Sequence, residues 1–325
     1  MRWPFSLRRR PSWAIAVYAL DELVQPLPGP PVLLLPSRKL LRGPRHVHTR
    51  ADPFLFADNG ELFVLFEQQA LDDPGSIAAY KITNSGAVSL GTILSEPFHL
   101  SYPLVFQEEG DVYLLPESQA AGALLLYKFD RFPDRPRLVR KLADGQFADP
   151  TVVKHKGHWY LFATTAAGLE LFHTDDLVDG ELRPHPASPI TDDRRFRRSG
   201  GGIFEHDGKW IRPAQDGTER YGANVNLMAI TRLTPTDYAE ALWRPQVLSC
   251  DQPWNRHGGH HFSVATLGDK GFVAVDGQTD DHFIHKIVTR AWMFLTNYRP
   301  GNLRTRPSGP QTGQAPIPGH PRRGI

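Results

Sequence analysis

Five stretches of this chain share one order of apolar and polar positions: an apolar run, a polar turn with glycine, then a second apolar run. They are DPFLFADNGELFVLFE (52–67), PLVFQEEGDVYLLPE (103–117), PTVVKHKGHWYLFAT (150–164), GIFEHDGKWIRPAQ (202–215) and FSVATLGDKGFVAVD (262–276). The turn glycines, Gly60, Gly110, Gly157, Gly208 and Gly268, lie 50, 47, 51 and 60 residues apart. The runs are short, rich in Val, Leu, Phe and Tyr, and lack a helical period, which predicts strands joined as hairpins. Further strand-like runs follow the first three hairpins, at 77–94, 123–142 and 169–185. Each unit therefore supplies about four strands.

Four-stranded units repeated at an even spacing are the blades of a propeller. A β-sandwich, the rival all-β fold, carries no such period. The expectation is an all-β, five-bladed β-propeller over residues 12–299, with Trp13–Tyr18 as a strand that completes the last blade. Residues 1–11 read as a mobile arm. The Pro-, Gly- and Arg-rich tail 300–325 has little apolar content and reads as disordered, so no further domain is expected after the propeller.

Composition narrows the function classes. Forty per cent of the 325 residues are hydrophobic, enough for a large core, and the 29 Pro and 28 Gly fall mostly between the apolar runs. A net charge of +2, with basic clusters at Arg8–Arg10 and Arg322–Arg323 near the ends, gives no reason to expect a nucleic-acid partner. The single cysteine, Cys250, fits a reducing compartment, and a cytoplasmic location is the expectation. No stretch is long enough to span a bilayer.

The candidate chemistry lies at the strand ends that a propeller turns toward its axis. The first strands begin with Asp52-Pro53, Ser101-Tyr102-Pro103, Asp149-Pro150, Arg198-Ser199-Gly200-Gly201 and His260-His261. The second strands end in Glu67, Glu117, Thr164, Gln215 and Asp276. Counted from the turn glycines the first four are equivalent, and Asp276 falls one residue out of phase. A ring of carboxylates, His and Arg suits glycan chemistry, in which paired carboxyl groups act as acid and base or nucleophile. Aromatic side chains such as Tyr102, Trp159, Trp210 and Tyr221 offer faces for sugar stacking. The run IRPAQDGTERYG (211–222) adds Arg212, Gln215 and Asp216, and arginine suits an acidic sugar or a sugar phosphate. His257, His260 and His261 have no Cys or carboxylate at a ligand spacing in the sequence, so no metal is expected. Neither is a cofactor, since there is no phosphate loop or dinucleotide fingerprint.

The motifs ADPFLF, EPFHLSYPLVF, LLPES, ADPTVV, RPAQD, LTPTDYAE and GGHHFS, in this order, resemble the N-terminal domain of glucosamine inositolphosphorylceramide transferase over about residues 12–295. That family is related to the five-bladed propellers of arabinanases, xylosidases and invertases. The resemblance implies a glycoside-hydrolase-like protein of polysaccharide metabolism, with a carbohydrate or sugar-phosphate ligand and a polysaccharide-assembly enzyme as a possible partner. In the related glycosidases an Asp of the first blade is base or nucleophile, a second Asp tunes and orients, and a Glu of a later blade is the acid. Asp52 matches the first and Asp149 is similar to the second. Where blade four is expected to begin with Glu, Arg198-Ser199-Gly200-Gly201 stands, and Glu117 is the substitute acid. Glu67, His99, Tyr102, Arg198, Arg212, Gln215, Asp216, Tyr221, His260 and Asp276 would then bind substrate. The alternative is a carbohydrate- or nucleotide-sugar-binding module without catalysis, accessory to polysaccharide biosynthesis.

Overall fold

The computed structural model describes residues 11–20, 30–36, 49–70 and 73–280. The arm before Pro11, the stretch 281–299 and the tail 300–325 lie outside the described residues. Twenty strands form five four-stranded sheets. The first two strands, β1 (Pro11–Leu20) and β2 (Leu33–Leu35), belong to the last sheet. Blade one is β3 (Thr49–Asp58), β4 (Glu61–Gln69), β5 (Ser76–Thr83) and β6 (Gly86–Leu94). Blade two is β7 (Ser101–Glu108), β8 (Asp111–Glu117), β9 (Ala123–Phe129) and β10 (Arg137–Asp144). Blade three is β11 (Ala148–His155), β12 (His158–Thr164), β13 (Leu169–Thr174) and β14 (Arg183–Pro184). Blade four is β15 (Phe204–His206), β16 (Lys209–Asp216), β17 (Asn224–Leu233) and β18 (Tyr238–Arg244). β19 (Phe262–Leu267) and β20 (Lys270–Asp280) join β1 and β2 as blade five, in the order β19-β20-β1-β2. No α-helix occurs among the described residues, and none of their helices is long and apolar enough to cross a membrane.

The hairpins form because their turns suit the twist of the strands. In blades one to four the two loop residues both have positive φ: Asn59-Gly60, Glu109-Gly110, Lys156-Gly157 and Asp207-Gly208. That is the backbone of the primed two-residue turns, and it places glycine second. Blade five differs. Leu267 pairs with Lys270, so its turn is Gly268-Asp269, and Gly268 stands first. Counting from the second turn residue rather than from glycine brings Asp276 into step with Glu67, Glu117, Thr164 and Gln215. Its apparent offset was a shift of the glycine, not of the strand.

A second device repeats in three blades. Ala51 pairs with Glu67 and Phe54 with Leu65, so Asp52 and Pro53 together oppose one residue. The same bulge places Tyr102-Pro103 in blade two and Asp149-Pro150 in blade three. The bulged residues Asp52, Tyr102 and Asp149 have φ of 53°, 46° and 50°. Left-handed backbone at a non-glycine residue costs about 1–3 kcal/mol and is retained where neighbours over-determine it. A bulge re-aims the side chain, and here it re-aims three equivalent side chains.

Alternation along β1 explains how the ring closes. Ile15 and Val17 pack with Leu55, Val64 and Phe66 of blade one. Ala16, pointing the other way, joins Leu227 of blade four and Phe262 and Val275 of blade five. β1 thus fills one blade and touches the two beside it. Ile15 is fully buried, and Ile15→Ala is expected to cost about 2–5 kcal/mol. Urea unfolding followed by tryptophan fluorescence checks this, and a loss under about 1 kcal/mol would mean that closure does not depend on this packing.

Candidate active site at the propeller axis

The innermost strands meet through polar contacts. Leu55 N–H donates to Ser263 Oγ at 3.0 Å. The Tyr102 hydroxyl lies 2.8 Å from Thr151 Oγ1, donates to the Gly201 carbonyl at 3.0 Å and accepts from Gly201 N–H at 2.9 Å. Gly201 admits no side chain, since a Cβ there would lie 2.0 Å from the Phe262 carbonyl oxygen. Tyr102 is itself fully buried. Its hydroxyl ties three blades together, and its left-handed backbone is the local cost of that position.

Two charged groups sit on this scaffold. In the first, Asp276 Oδ1 accepts the His260 and His261 backbone N–H groups at 2.7 and 3.1 Å. Its Oδ2 lies 2.5 Å from His260 Nδ1. His260 Nε2 in turn faces Asp52 Oδ1 at 3.4 Å. Asp52 also accepts from Tyr102 N–H at 3.2 Å, and its own N–H donates to Asp276 Oδ2 at 3.3 Å. Burial alone would lower the His260 pKa, but Asp276 outweighs it and the imidazole is held up at about 9. Burial raises Asp52 to about 7, against the pull of the His260 charge. Burial would raise Asp276 as well, yet the His260 charge keeps it below the usual carboxylate value.

The second group is centred on Asp149. Arg198 Nε donates to Asp149 Oδ2, and Gln215 Nε2 donates to the same oxygen at 3.0 Å. The Asp149 N–H donates to Glu117 Oε2 at 3.0 Å, and Arg198 Nη2 lies 3.7 Å from that oxygen. Burial raises Glu117 to about 8; Asp149 adds to the rise and Arg198 opposes it. The side chains differ in access: Glu117 is 12 % exposed, Arg198 32 %, and Tyr221 50 % as a residue. The Arg198 guanidinium lies 5.2 Å from the centre of the Tyr221 ring. Asp52, Asp149 and Asp276 are buried, whereas Arg198, Tyr221, Glu117 and His99 keep part of their surface exposed.

The sequence expectations meet this geometry unevenly. Asp52, Glu117, Asp149, Arg198, Gln215, Tyr221, His260 and Asp276 come together at the axis. Glu67 and His99 stand beside them, 3.4 Å apart. Tyr102 does not offer a sugar-stacking face; it is enclosed and positions other groups. Arg212 is not a ligand group either. It is fully buried, and its Nε and Nη2 donate to Glu240 at 2.8 and 2.6 Å, with Tyr238 completing the cluster. The β16 strand alternates, so Arg212 and Gln215 face different neighbours. Asp216 accepts from the Thr218 N–H and hydroxyl at 3.1 and 2.6 Å and so closes a turn. His260 and His261 precede β19, follow Gly258 at φ 111°, and each bring a ring nitrogen near Asp52 Oδ1, at 3.4 and 3.7 Å.

The histidines have no carboxylate at a ligand spacing in the sequence, yet the fold brings Asp52, His260 and Asp276 side-chain atoms within 4.8 Å of one another. Sequence reasoning missed Trp13, whose ring lies 4.2 Å from that of His260. Trp13 lies outside the repeat, so no spacing marks it. Thr151 carried a signal: it is polar where Phe54 and Leu104 follow the equivalent bulges.

Several solved structures share this fold. A GH43 enzyme from Xanthomonas citri complexed with xylotriose superposes with a TM-score of 0.53 at 14 % identity, over 75 % of this chain and 88 % of that one. The RS223 β-xylosidase gives 0.51 at 12 % identity, over 74 % and 94 %. An α-L-arabinofuranosidase from Clostridium thermocellum gives 0.52 at 13 % identity, over 71 % and 83 %. These likenesses establish the fold. Residues 39–278 match the family described as glucosamine inositolphosphorylceramide transferase 1, N-terminal, and the chain belongs to it. The transferase of Arabidopsis thaliana is 32 % identical over 258 residues, 73 % of this chain and 34 % of that protein. The one from Oryza sativa subsp. japonica is 33 % identical over 241 residues, 69 % and 32 %. The chain spans about a third of the length of these relatives.

Two stability measurements separate the scaffold from the site. Tyr102→Phe strands the buried Gly201 N–H and is expected to cost about 1–3 kcal/mol. Arg212→Met leaves Glu240 without its partner and is expected to cost about 3–5 kcal/mol. Equilibrium unfolding of both reads these values, and a neutral Arg212→Met would show that the pair is dispensable.

Proposed function

We propose that the axial site binds a glycan and hydrolyses it in the manner of a glycoside hydrolase, with Glu117 as general acid, Asp52 as base or nucleophile and Asp149 as the orienting carboxylate. One observation carries this reading: Glu117 is a partly accessible carboxyl group held against Asp149, while Asp52 stands beside the charged His260. A general acid works best with a pKa near the operating pH. Burial, reinforced by the Asp149 charge, keeps the proton on Glu117 at neutral pH, and the His260 charge favours the ionised form of Asp52. Two carboxyl groups in these opposed states are what glycoside hydrolysis requires. Arg198, Tyr221 and His99, which keep part of their surface exposed, supply hydrogen bonds and a ring face for the sugar. The sugar-linked names of the relatives and the propeller enzymes of like shape support a carbohydrate ligand.

Arg198 favours a second reading. It binds Asp149 where the related glycosidases are expected to place an acidic residue. A site locked in that way suits a binding module accessory to polysaccharide assembly.

Release of reducing sugar from bacterial polysaccharide separates the two. Hydrolysis requires ionised Asp52 and protonated Glu117, so activity is expected to fall below about pH 7 and again above about pH 8. Glu117→Gln is expected to lose about 10²–10⁴-fold in rate. Asp149→Asn removes a charge that raises the Glu117 pKa, so any remaining activity is expected to lose its alkaline limb at lower pH. Saturable polysaccharide binding with no turnover in wild type at any pH would establish the binding module instead.

A further inference from the structure

A cavity of about 220 Å³ lies between blades two and three, away from the axial site. β7 runs from Ser101, at the axial end, to Glu108 at the cavity. At about 3.3 Å per residue, about 23 Å of strand separates the two. Six of the twelve lining residues are acidic and one, Lys154, is basic. The chain as a whole carries a net charge of +2, so this acidity is local.

Four of the carboxylates are answered from within the protein. Glu108 pairs with Lys154, Asp111 lies 2.6 Å from Lys128 Nζ, and Asp175 lies 2.5 Å from His158 Nδ1. Asp176 accepts the Val178 and Asp179 backbone N–H groups at 2.8 and 3.0 Å. Among the described residues, no hydrogen bond or ion pair reaches the carboxylates of Glu109 and Asp179. The wall that carries Asp179 is fixed in advance. Arg140 donates to the carbonyls of Leu177, Val178 and Gly180, and Leu177 is buried.

An independent observation concerns two aromatic side chains. Trp159 and Tyr113 line the cavity and are only 5 % and 6 % exposed. Neither the Trp159 indole N–H nor the Tyr113 hydroxyl has a hydrogen-bond partner among the described residues, and neither atom is fully enclosed. The little surface these residues keep thus includes their polar atoms, and the cavity is where a ligand meets them. Phe106 stacks on Tyr113 at 5.6 Å and lies 5.2 Å from Trp159. Lys154 Nζ already stands 5.7 Å from the centre of the Trp159 ring, so this wall accommodates a cation.

We propose that this cavity is a docking site for an extended peptide segment of a partner protein, one that carries an arginine. The site asks for two things together. The unanswered carboxylates call for a cation, and the indole N–H calls for an acceptor. A metal ion or a polyamine supplies only the cation, and a neutral glycan brings no charge. A peptide supplies both. Its guanidinium forks onto carboxylates and stacks on aromatic faces, which a lysine ammonium does less well. Its backbone carbonyl accepts from Trp159. The inference is independent of the carbohydrate reading of the axis, with which it shares no residue.

Nuclear magnetic resonance of the indole N–H groups in the full chain tests this without requiring turnover. The chain has seven tryptophans, and the resonance missing from Trp159→Phe is that of Trp159. Titration with acetyl-Gly-Arg-Gly-amide is expected to shift this resonance saturably, and less readily as sodium chloride is raised. The same peptide with neutral citrulline in place of arginine is expected to bind about ten-fold more weakly, as is the arginine peptide to the double variant Glu109→Gln/Asp179→Asn. Glu117→Gln, at the axis, is expected to bind the arginine peptide as wild type does. No shift of the Trp159 resonance, equal affinity for the two peptides, unchanged binding by the double variant, or a larger response to calcium chloride alone would each overturn the proposal.

Discussion

Holding several carboxyl groups in a nearly dry axis is the constraint around which this molecule is arranged. An isolated buried carboxylate is too costly to stay ionised, so each must be neutralised, hydrogen-bonded or paired. The pair of Asp276 and His260 meets this need most directly. Asp276 takes two backbone N–H bonds and an imidazolium, and the imidazolium in turn faces Asp52. Asp149 is satisfied differently, by Arg198 and Gln215. Those two cations divide the ring into one half where charge is compensated by histidine and one where it is compensated by arginine. Glu117 and Glu67 belong to neither pair fully, and burial raises the pKa of both.

The backbone makes this concentration of charge possible. Three blades use the same bulge, with proline fixed after a left-handed residue, and the bulged side chains are Asp, Tyr and Asp. The tyrosine does for the scaffold what the aspartates do for the site. Its hydroxyl reaches Thr151 and Gly201 across the axis and leaves the aspartates to be held by side chains from blades four and five. Strain at Tyr102 and close backbone approach at Gly201 are two aspects of one contact.

Much of this was legible in the sequence, because strand period and turn chemistry are local. The five hairpins, the closing strand and the strand-end positions of Asp52, Glu117, Asp149 and His260 follow from spacing. What was not legible depends on contacts between distant segments. Arg212 and Gln215 are neighbours in one motif, yet one turns to Glu240 and the other to Asp149, and only the pairing of β16 decides which. His260 and His261 look like alternating strand residues. Two glycines before them break the alternation, and the backbone amides of both wrap one carboxylate. Asp276 looked out of phase because glycine moved to the first place of its turn. The contribution of Trp13 has no local signal at all.

The closing strand has a consequence for the order of events during synthesis. β1 leaves the ribosome first, but its partner β20 is made only after all the other blades, since Ile15 lies opposite Asp276. Until then SWAIAVYAL is an apolar strand with no sheet to join, and pairing over so long a separation is slow. The same delay applies to the ring face that Trp13 lays against His260. A chain halted before β20 would carry four blades, His260 and most of the acidic groups, yet lack Asp276, the carboxylate that holds His260 in place. The chemistry of the axis is thus the last thing the growing chain acquires, and a molecular chaperone that shields its first strand would protect the last step of assembly.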